Sequence, residues 1–313
     1  MANVINLVYF GTSDHSVILL NQLKKSSLLN LKLVITKTDL TVGRNKETVP
    51  TPVKKWCLEN GIFYKTTESL KRDKEIILDI LGKESIKLGL VADFGLMIPK
   101  GIIDSIDKGI VNIHFSLLPK LRGAAPVTYT LLQRQTKAGI TFLLTTSEMD
   151  KGDILMSFEF EITERETDES LYKKLFELAG QKCEGVLLDY FKGNLSPTPQ
   201  NELDATYCTP SGKFDRTTYI TKDDAKIDWK QKSESIEAAI RAFFPWPVAW
   251  TSLGELSKQH NFMLKNPNLS ELRVKIHKAH LSAAKELVLD EIQLEGKTKC
   301  SFEAFKNGYF VKQ

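Results

Sequence analysis

Short apolar runs alternate with amphipathic stretches through the first 190 or so residues, and this alternation constrains the chain more than any other feature. "INLVYF" reads as a buried strand and "GTSDHS" as a turn. "HSVILLNQLKKSS" then carries apolar residues at helical spacing before the next strand, "LKLVIT". "IKLGLVAD", "GIVNIHF" and "GITFLLTT" continue the series, separated by helix-like segments such as "SLKRDKEIILDILGKES". Strands that are apolar at nearly every position, joined by helices, predict a parallel sheet covered on both faces. The reading is an α/β, Rossmann-like domain over residues 1–190. Gly11 stands alone after the first strand, with no GxGxxG, so a dinucleotide cofactor is not supported.

Beyond residue 190 the pattern changes. "KGNLSPTPQNELDATYCTPSG" carries Pro197, Pro199 and Pro210 among polar and small residues, and residues 191–210 read as a linker. In 211–313, "SESIEAAIRAFF" predicts a helix with Ser233 as N-cap and Ile236, Ile240 and Phe243 on one face. "AWTSL", "RVKIHKAHL", "ELVLDEIQL" and "GYFVKQ" read as short strands. One helix among short strands predicts a small OB-like β-barrel, an architecture that often binds oligonucleotides.

Composition narrows the function classes. No run approaches the roughly 20 apolar residues that span a bilayer, and "MANVINLVYF" lacks the basic start of a signal peptide. Cys57, Cys183, Cys208 and Cys300 lie far apart with no CxxC pair, which predicts reduced thiols and a cytoplasmic setting. The net charge is +6 over 1–150, −6 over 151–207 and +4 over 208–313. A mildly basic C-terminal third suits a phosphate-rich partner without demanding one. His277 and His280 have metal-ligand spacing, but no third ligand is near in the sequence, and no metal is expected.

The stretch "VNIHFSLLPKLRGAAP", from Val111 to Pro126, concentrates the chemistry. On a strand, Asn112 and His114 share one face while Val111, Ile113 and Phe115 take the other. In an open α/β sheet, ligands bind beyond the carboxyl ends of the strands, where this pair would sit. An amide NH2 and an imidazole aimed at one point can hold an oxyanion, and the imidazole can also move a proton. By itself an Asn-x-His pair reads more readily as a turn former beside a hydrogen-bonded histidine. "GITFLLTT" then runs into "SEMDKGD", placing Asp150 at the end of a further strand; if that strand is parallel, Asp150 approaches His114. D-K-G-D is also an ordinary turn sequence.

These residues resemble the signature of the 10-formyltetrahydrofolate-dependent formyltransferases, N-x-H-x-S-L-L-P followed by R-G-A-A-P. The resemblance covers nearly the whole chain. "YFGTSD", "VPTPVKKW", "DFGLMIP" and "MDKGDIL" resemble further family segments in the same order. "AKIDW" and "IRAFFPWPVAW" resemble segments of the members that act on tRNA. The resemblance implies a catalytic trio of Asn112, His114 and Asp150. It implies folate contacts at Ser116, Leu117, Leu118 and Pro119, and at Phe94, Gly95, Leu96 and Met97. The implied reaction moves a formyl group from 10-formyltetrahydrofolate, as co-substrate, to the amino group of initiator methionyl-tRNA, in a chain acting as a monomer. The alternatives are a nucleotide-linked amino sugar as acceptor, or a tRNA- or folate-binding module without catalysis.

Several positions depart from the family pattern: Ser13 replaces the proline of G-T-P, Thr146 and Glu148 replace the first Asp and the Gly of D-x-G-L-D, and Phe244 replaces the Asn of N-P-W-P. The loop "TKTDLTVGRNKETVPTP" is long and basic, and the resemblance assigns its Arg44 to the tRNA acceptor stem. In the C-terminal part, Lys265, Arg273, Lys275, Lys278 and Lys285 are candidates to face phosphates.

Overall fold

The computed structural model describes residues 4–42, 47–214 and 217–311. It comprises two compact units whose boundaries weave through the sequence. One holds residues 1–126, 137–160 and 172–216; the other holds 127–136, 161–171 and 217–313. The expected divisions at 190 and 211 therefore do not coincide with the units. No single cut separates the two, because the second draws two segments from within the first 171 residues.

The chain runs through β1 (Ile5–Phe10), α1 (Asp14–Leu23), β2 (Leu29–Lys37), β3 (Leu40–Val42), β4 (Glu47–Val49), α2 (Pro52–Asn60), β5 (Tyr64–Thr67) and α3 (Lys74–Lys83). It continues through β6 (Leu88–Val91), α4 (Lys100–Ile103), β7 (Ile110–His114), α5 (Pro126–Leu132), β8 (Lys137–Leu144), β9 (Ile154–Glu161) and α6 (Asp168–Lys192). Seven strands form one sheet in the order β5-β2-β1-β6-β7-β8-β9. The pairs β5–β2, β2–β1, β1–β6 and β6–β7 are parallel, as the apolar strands predict. Leu7, Val8, Tyr9 and Phe10 of β1 are fully buried. Each such side chain contributes roughly 1.5–3 kcal/mol of transfer free energy.

The pairing of β7 with β8 is antiparallel, with Val111 opposite Leu144 and His114 opposite Thr141. This corrects the all-parallel reading. A parallel crossover needs a dozen or more residues that return the chain to its starting edge. From β7 to β8 the chain instead enters the second unit with its α5 residues and returns in the opposite sense. The loop after β8 thus leaves from beside the start of β7, not beside its end.

Residues 191–210 do not behave as a linker. Thr198 pairs with Ile154 at the start of β9, its N–H donating to Ile154 O at 2.9 Å and its carbonyl accepting at 2.8 Å. Tyr207 forms a parallel bridge with Arg122. Pro197, Pro199 and Pro210 are exposed, as in a surface connection, but Thr198, Gln200 and Thr206–Cys208 bond to the first unit.

The second unit contains α7 (Ser233–Ala242), β10 (Trp250–Ser252), α8 (Leu253–Gln259), β11 (Arg273–Leu281), β12 (Leu287–Leu294), β13 (Cys300–Ser301) and α9 (Phe302–Tyr309). The four strands form an antiparallel sheet in chain order. Ile236, Ile240 and Phe243 of the α7 region are buried against it, as the helical spacing predicts. The helix begins at Ser233, so Lys232, not Ser233, takes the capping position. "GYFVKQ" is expected as a strand, but Gly308 and Tyr309 instead end a helix: the Ser301 hydroxyl accepts from Ala304 N, α9 buries Phe305, and Phe310 makes an isolated bridge to Leu264; Lys312 and Gln313 lie outside the described residues. Among the described residues no helix is long and apolar enough to cross a membrane.

Candidate active site

The strand β7 is anchored on the face away from the site. Val111, Ile113 and Phe115 are buried, and the Phe115 ring lies 4.4 Å from Phe176 and 5.0 Å from Tyr172 of α6. With that face committed, the period of two turns Asn112 and His114 to the other side together. His114 is 6% exposed and Asn112 is half-buried.

Asp150 reaches them, but by a different route from converging parallel strand ends. The loop between β8 and β9 folds back over the sheet, closed at its base by Leu144 N donating to Asp153 O at 2.9 Å. Gly152 makes the fold possible, since a Cβ there would lie 1.6 Å from Leu144 O. Asp150 itself adopts a left-handed φ of 53°, an uncommon conformation for a side-chain-bearing residue. Its carboxylate accepts from Gly123 N at 2.8 Å through Oδ2. Oδ1 lies 3.4 Å from Asn112 Nδ2 and 3.6 Å from His114 Nδ1.

The imidazole is oriented from its far side. His114 Nε2 lies 2.9 Å from Leu121 O, and because a carbonyl can only accept, Nε2 carries a proton there. Nδ1 is the nitrogen left facing Asp150. The same carbonyl accepts the Cys208 thiol at 3.3 Å. Burial pushes that thiol up to about 12, so Cys208 stays neutral, as a donor and not a nucleophile. Leu121, at φ 58°, is held by its N–H donating to Thr206 Oγ1 at 2.9 Å.

The other sequence-predicted residues divide. Ser116 is buried and donates to Lys120 O at 2.6 Å; Leu118 is buried, and Leu118 N donates to Thr141 Oγ1 at 3.1 Å. Leu117 and Pro119 are half-buried in the same turn, which carries a cis Leu118–Pro119 bond. Phe94 is core, its ring edge-on to Phe10 at 5.6 Å, and its carbonyl accepts from the Thr12 hydroxyl at 3.1 Å. Gly95, at φ 72°, and Met97, 60% exposed, lie at the surface, with half-buried Leu96 between them. Arg44 falls outside the described residues; β3 and β4 form a two-stranded antiparallel ribbon on either side of it.

The departures from the family pattern have local roles. Ser13 caps α1, accepting from Ser16 N at 3.3 Å, a contribution of about 1 kcal/mol. Thr146 braces its loop through both the N–H and the carbonyl of Glu148. Phe244 receives the Lys299 ammonium 5.9 Å from its ring centroid.

Sequence reasoning missed the groups behind this cluster. Arg122 is fully buried, and Gln200 and Glu202, from the expected linker, are its partners. Arg122 stands in the R-G-A-A-P run, where sequence alone gives it no role, and nothing in the sequence near Gln200 marks it. In the second unit, Lys222, Trp246, Arg273 and Lys275 line a cleft of about 280 Å³, and the Arg273 guanidinium lies 4.0 Å from the Trp250 ring centroid. Among the described residues no group of three or more His, Cys, Asp or Glu is gathered as a metal site.

A Rossmann-like sheet thus brings an amide, an imidazole and a carboxylate together at a strand end, groups of the kind that can hold an oxyanion and move a proton. Residues 2–186 match the formyl transferase family and residues 219–309 match the formyl transferase C-terminal domain, so the chain belongs to the formyl transferase family. It is 34% identical over 308 residues to the methionyl-tRNA formyltransferase of Streptococcus mutans, spanning 96% of this chain and 95% of that one. Its fold is similar to that of methionyl-tRNA formyltransferase from Clostridium thermocellum, with a TM-score of 0.61 at 14% identity, covering 93% of this chain and 99% of that one. An N-formyltransferase from Helicobacter canadensis, solved with folinic acid and dTDP-3-aminofucose, gives the same TM-score at 19% identity, covering 89% and 88%.

Proposed function

We propose that this chain transfers the formyl group of 10-formyltetrahydrofolate to the amino group of initiator methionyl-tRNA, as a monomer in the cytoplasm. The observation that carries this reading is the match across both units to a methionyl-tRNA formyltransferase at 34% identity. The neutral amine attacks the formyl carbon, forming the new C–N bond and an oxyanion. Asn112 Nδ2 and a protonated His114 Nδ1 stabilise that oxyanion, each such donor contributing typically 10²–10³ in rate. Asp150 faces His114 Nδ1 and helps take the amine's proton. Collapse breaks the bond to N10 of the folate, which leaves with a proton. Ser116–Pro119 and the exposed parts of Gly95–Met97 hold the folate, while Phe94 shapes that segment from the core.

Arg44 and the basic cleft around Arg273 and Lys275 are assigned to the tRNA, as phosphate contacts supply much of the affinity for nucleic acids. Arg44→Ala should slow transfer to tRNA and leave any slow hydrolysis of the formyl donor unchanged; equal losses in both assays would remove its recognition role. The amino-sugar reading draws on the fold likeness to the Helicobacter canadensis protein, and fits less well than relatives at higher identity. The deciding experiment offers the purified protein 10-formyltetrahydrofolate with charged initiator tRNA, charged elongator tRNA and amino-sugar nucleotides. Charged initiator tRNA should be formylated fastest. Formylation of an amino sugar but not of tRNA would sink the reading.

A further inference from the structure

The loop that carries Asp150 is irregular. It spans residues 145–153 between two strands and has no helix or strand of its own, and Asp150 sits in the left-handed region. Two of its carbonyls are nevertheless fixed. Gln200 Nε2 donates to Asp150 O at 2.7 Å and to Gly152 O at 2.8 Å. One amide NH2 has two hydrogens, and both are spent on this loop.

The other end of the same amide is equally constrained. Gln200 Oε1 accepts from Arg122 Nε at 3.1 Å and from Arg122 Nη2 at 2.8 Å. A guanidinium can only donate and a carbonyl can only accept, so the partners dictate which end of the amide points which way. Arg122 is 0% exposed and is held by Glu202 at 2.7 and 2.9 Å. Its backbone joins the same strip: Arg122 N donates to Thr206 O at 2.8 Å, and Cys208 N donates to Arg122 O at 2.9 Å. Arg122 lies between Leu121, whose carbonyl orients His114, and Gly123, whose N–H holds Asp150. The amide of Gln200 thus couples the segment that orients the imidazole to the loop that carries the carboxylate.

We propose that Gln200 is a positioning residue for the transfer reaction, setting the distance of the Asp150 carboxylate from Asn112 and His114. It touches no substrate; it acts through the backbone of residues 150–152. Misplacing a reacting group by about 1 Å can cost on the order of 10²-fold in rate, so a side chain that sets this distance controls turnover more than binding. The inference rests on Asp150 acting in the transfer.

Gln200→Glu tests it. The glutamate is nearly isosteric and still accepts from Arg122, but it has no hydrogen for Asp150 O and Gly152 O and sets an oxygen against them. kcat, per folded molecule, should fall by about 10- to 100-fold, while KM for 10-formyltetrahydrofolate stays within about twofold. Leu187→Ala, a cavity variant in α6 at a fully buried position, supplies the comparison: it should lower Tm by several degrees and leave kcat at 25 °C within about twofold. A Gln200→Glu enzyme with near-normal kcat, or one whose loss is recovered by correcting for the unfolded fraction, overturns the proposal. Asp150→Asn, assayed in parallel, keeps the two readings apart. If it is fully active, the catalytic reading fails and takes the positioning role with it. If it is inactive while Gln200→Glu is normal, only the positioning role fails.

Discussion

The segment from Asn112 to Gly123 and the segment from Thr198 to Cys208 meet at one cluster and bring different groups to it. The first supplies side chains that face the reacting centre, Asn112 and His114, from a strand whose other face is packed on α6. The second supplies none; it offers Gln200, Glu202, Thr206 and Cys208 to hold backbone and a buried guanidinium in place. The first segment carries its chemistry in residues that an Asn-x-His pair alone does not mark but the longer run "NIHFSLLPKLRGAAP" around it does. The second uses ordinary polar residues in what resembles a loose connection. The difference teaches that a site's reactive groups and its supports follow separate sequence rules, and the supports need only hydrogen-bonding capacity in the right place.

The variant that should do most damage strikes the first segment. His114→Ala removes the oxyanion donor and the proton carrier together, and kcat should fall at least 10²–10³-fold, with folate binding retained, measured by single-turnover formylation and by donor titration. Near-normal turnover would erase the distinction between the segments.

Gly152→Ala attacks neither segment directly but the loop between them. The new Cβ meets the Leu144 backbone, so the loop must move and carry Asp150 and the Gln200 acceptors with it. A loss of about 10²-fold in kcat, similar to or larger than that of Gln200→Glu, would sharpen the view that backbone placement controls this carboxylate. Turnover as fast as the parent would break it.

The smallest effect is expected at a residue with no part in the chemistry and concerns stability alone. Asp168, which accepts the Thr128 hydroxyl at 2.7 Å, is pushed by burial up to about 6. Its folded value lies above its unfolded one, so the folded state binds the proton more tightly. Its stabilising contribution is present below about pH 4 and is lost as pH rises through about 6. Asp168→Asn keeps the acceptor without the charge, and should raise stability at pH 7 by about 1–3 kcal/mol while changing little at pH 4. Urea titrations at the two pH values check this, and kcat should be unaltered. In the first unit, the buried Arg122 keeps its charge because its hydrogen bond to Glu202 outweighs the desolvation that burial brings.

What could be read from the chain alone was whatever depends on near neighbours in sequence. The alternation of apolar strands and amphipathic helices set the α/β class, and the two-residue period of β7 put Asn112 and His114 on one face. The α7 stripe of Ile236, Ile240 and Phe243 was legible for the same reason. What only the tertiary structure decided was partner choice. The direction of β8 against β7, the route by which Asp150 returns to His114, and the docking of residues 198–208 all depend on pairing between distant groups. Gln200 lies 78 residues from Arg122 and 50 from Asp150 along the chain. A glutamine amide is equally content in water, and nothing local favours one partner over another. It is drawn to this place because the fold buries a guanidinium and two loop carbonyls there, and leaving such groups unpaired costs about 1–3 kcal/mol each.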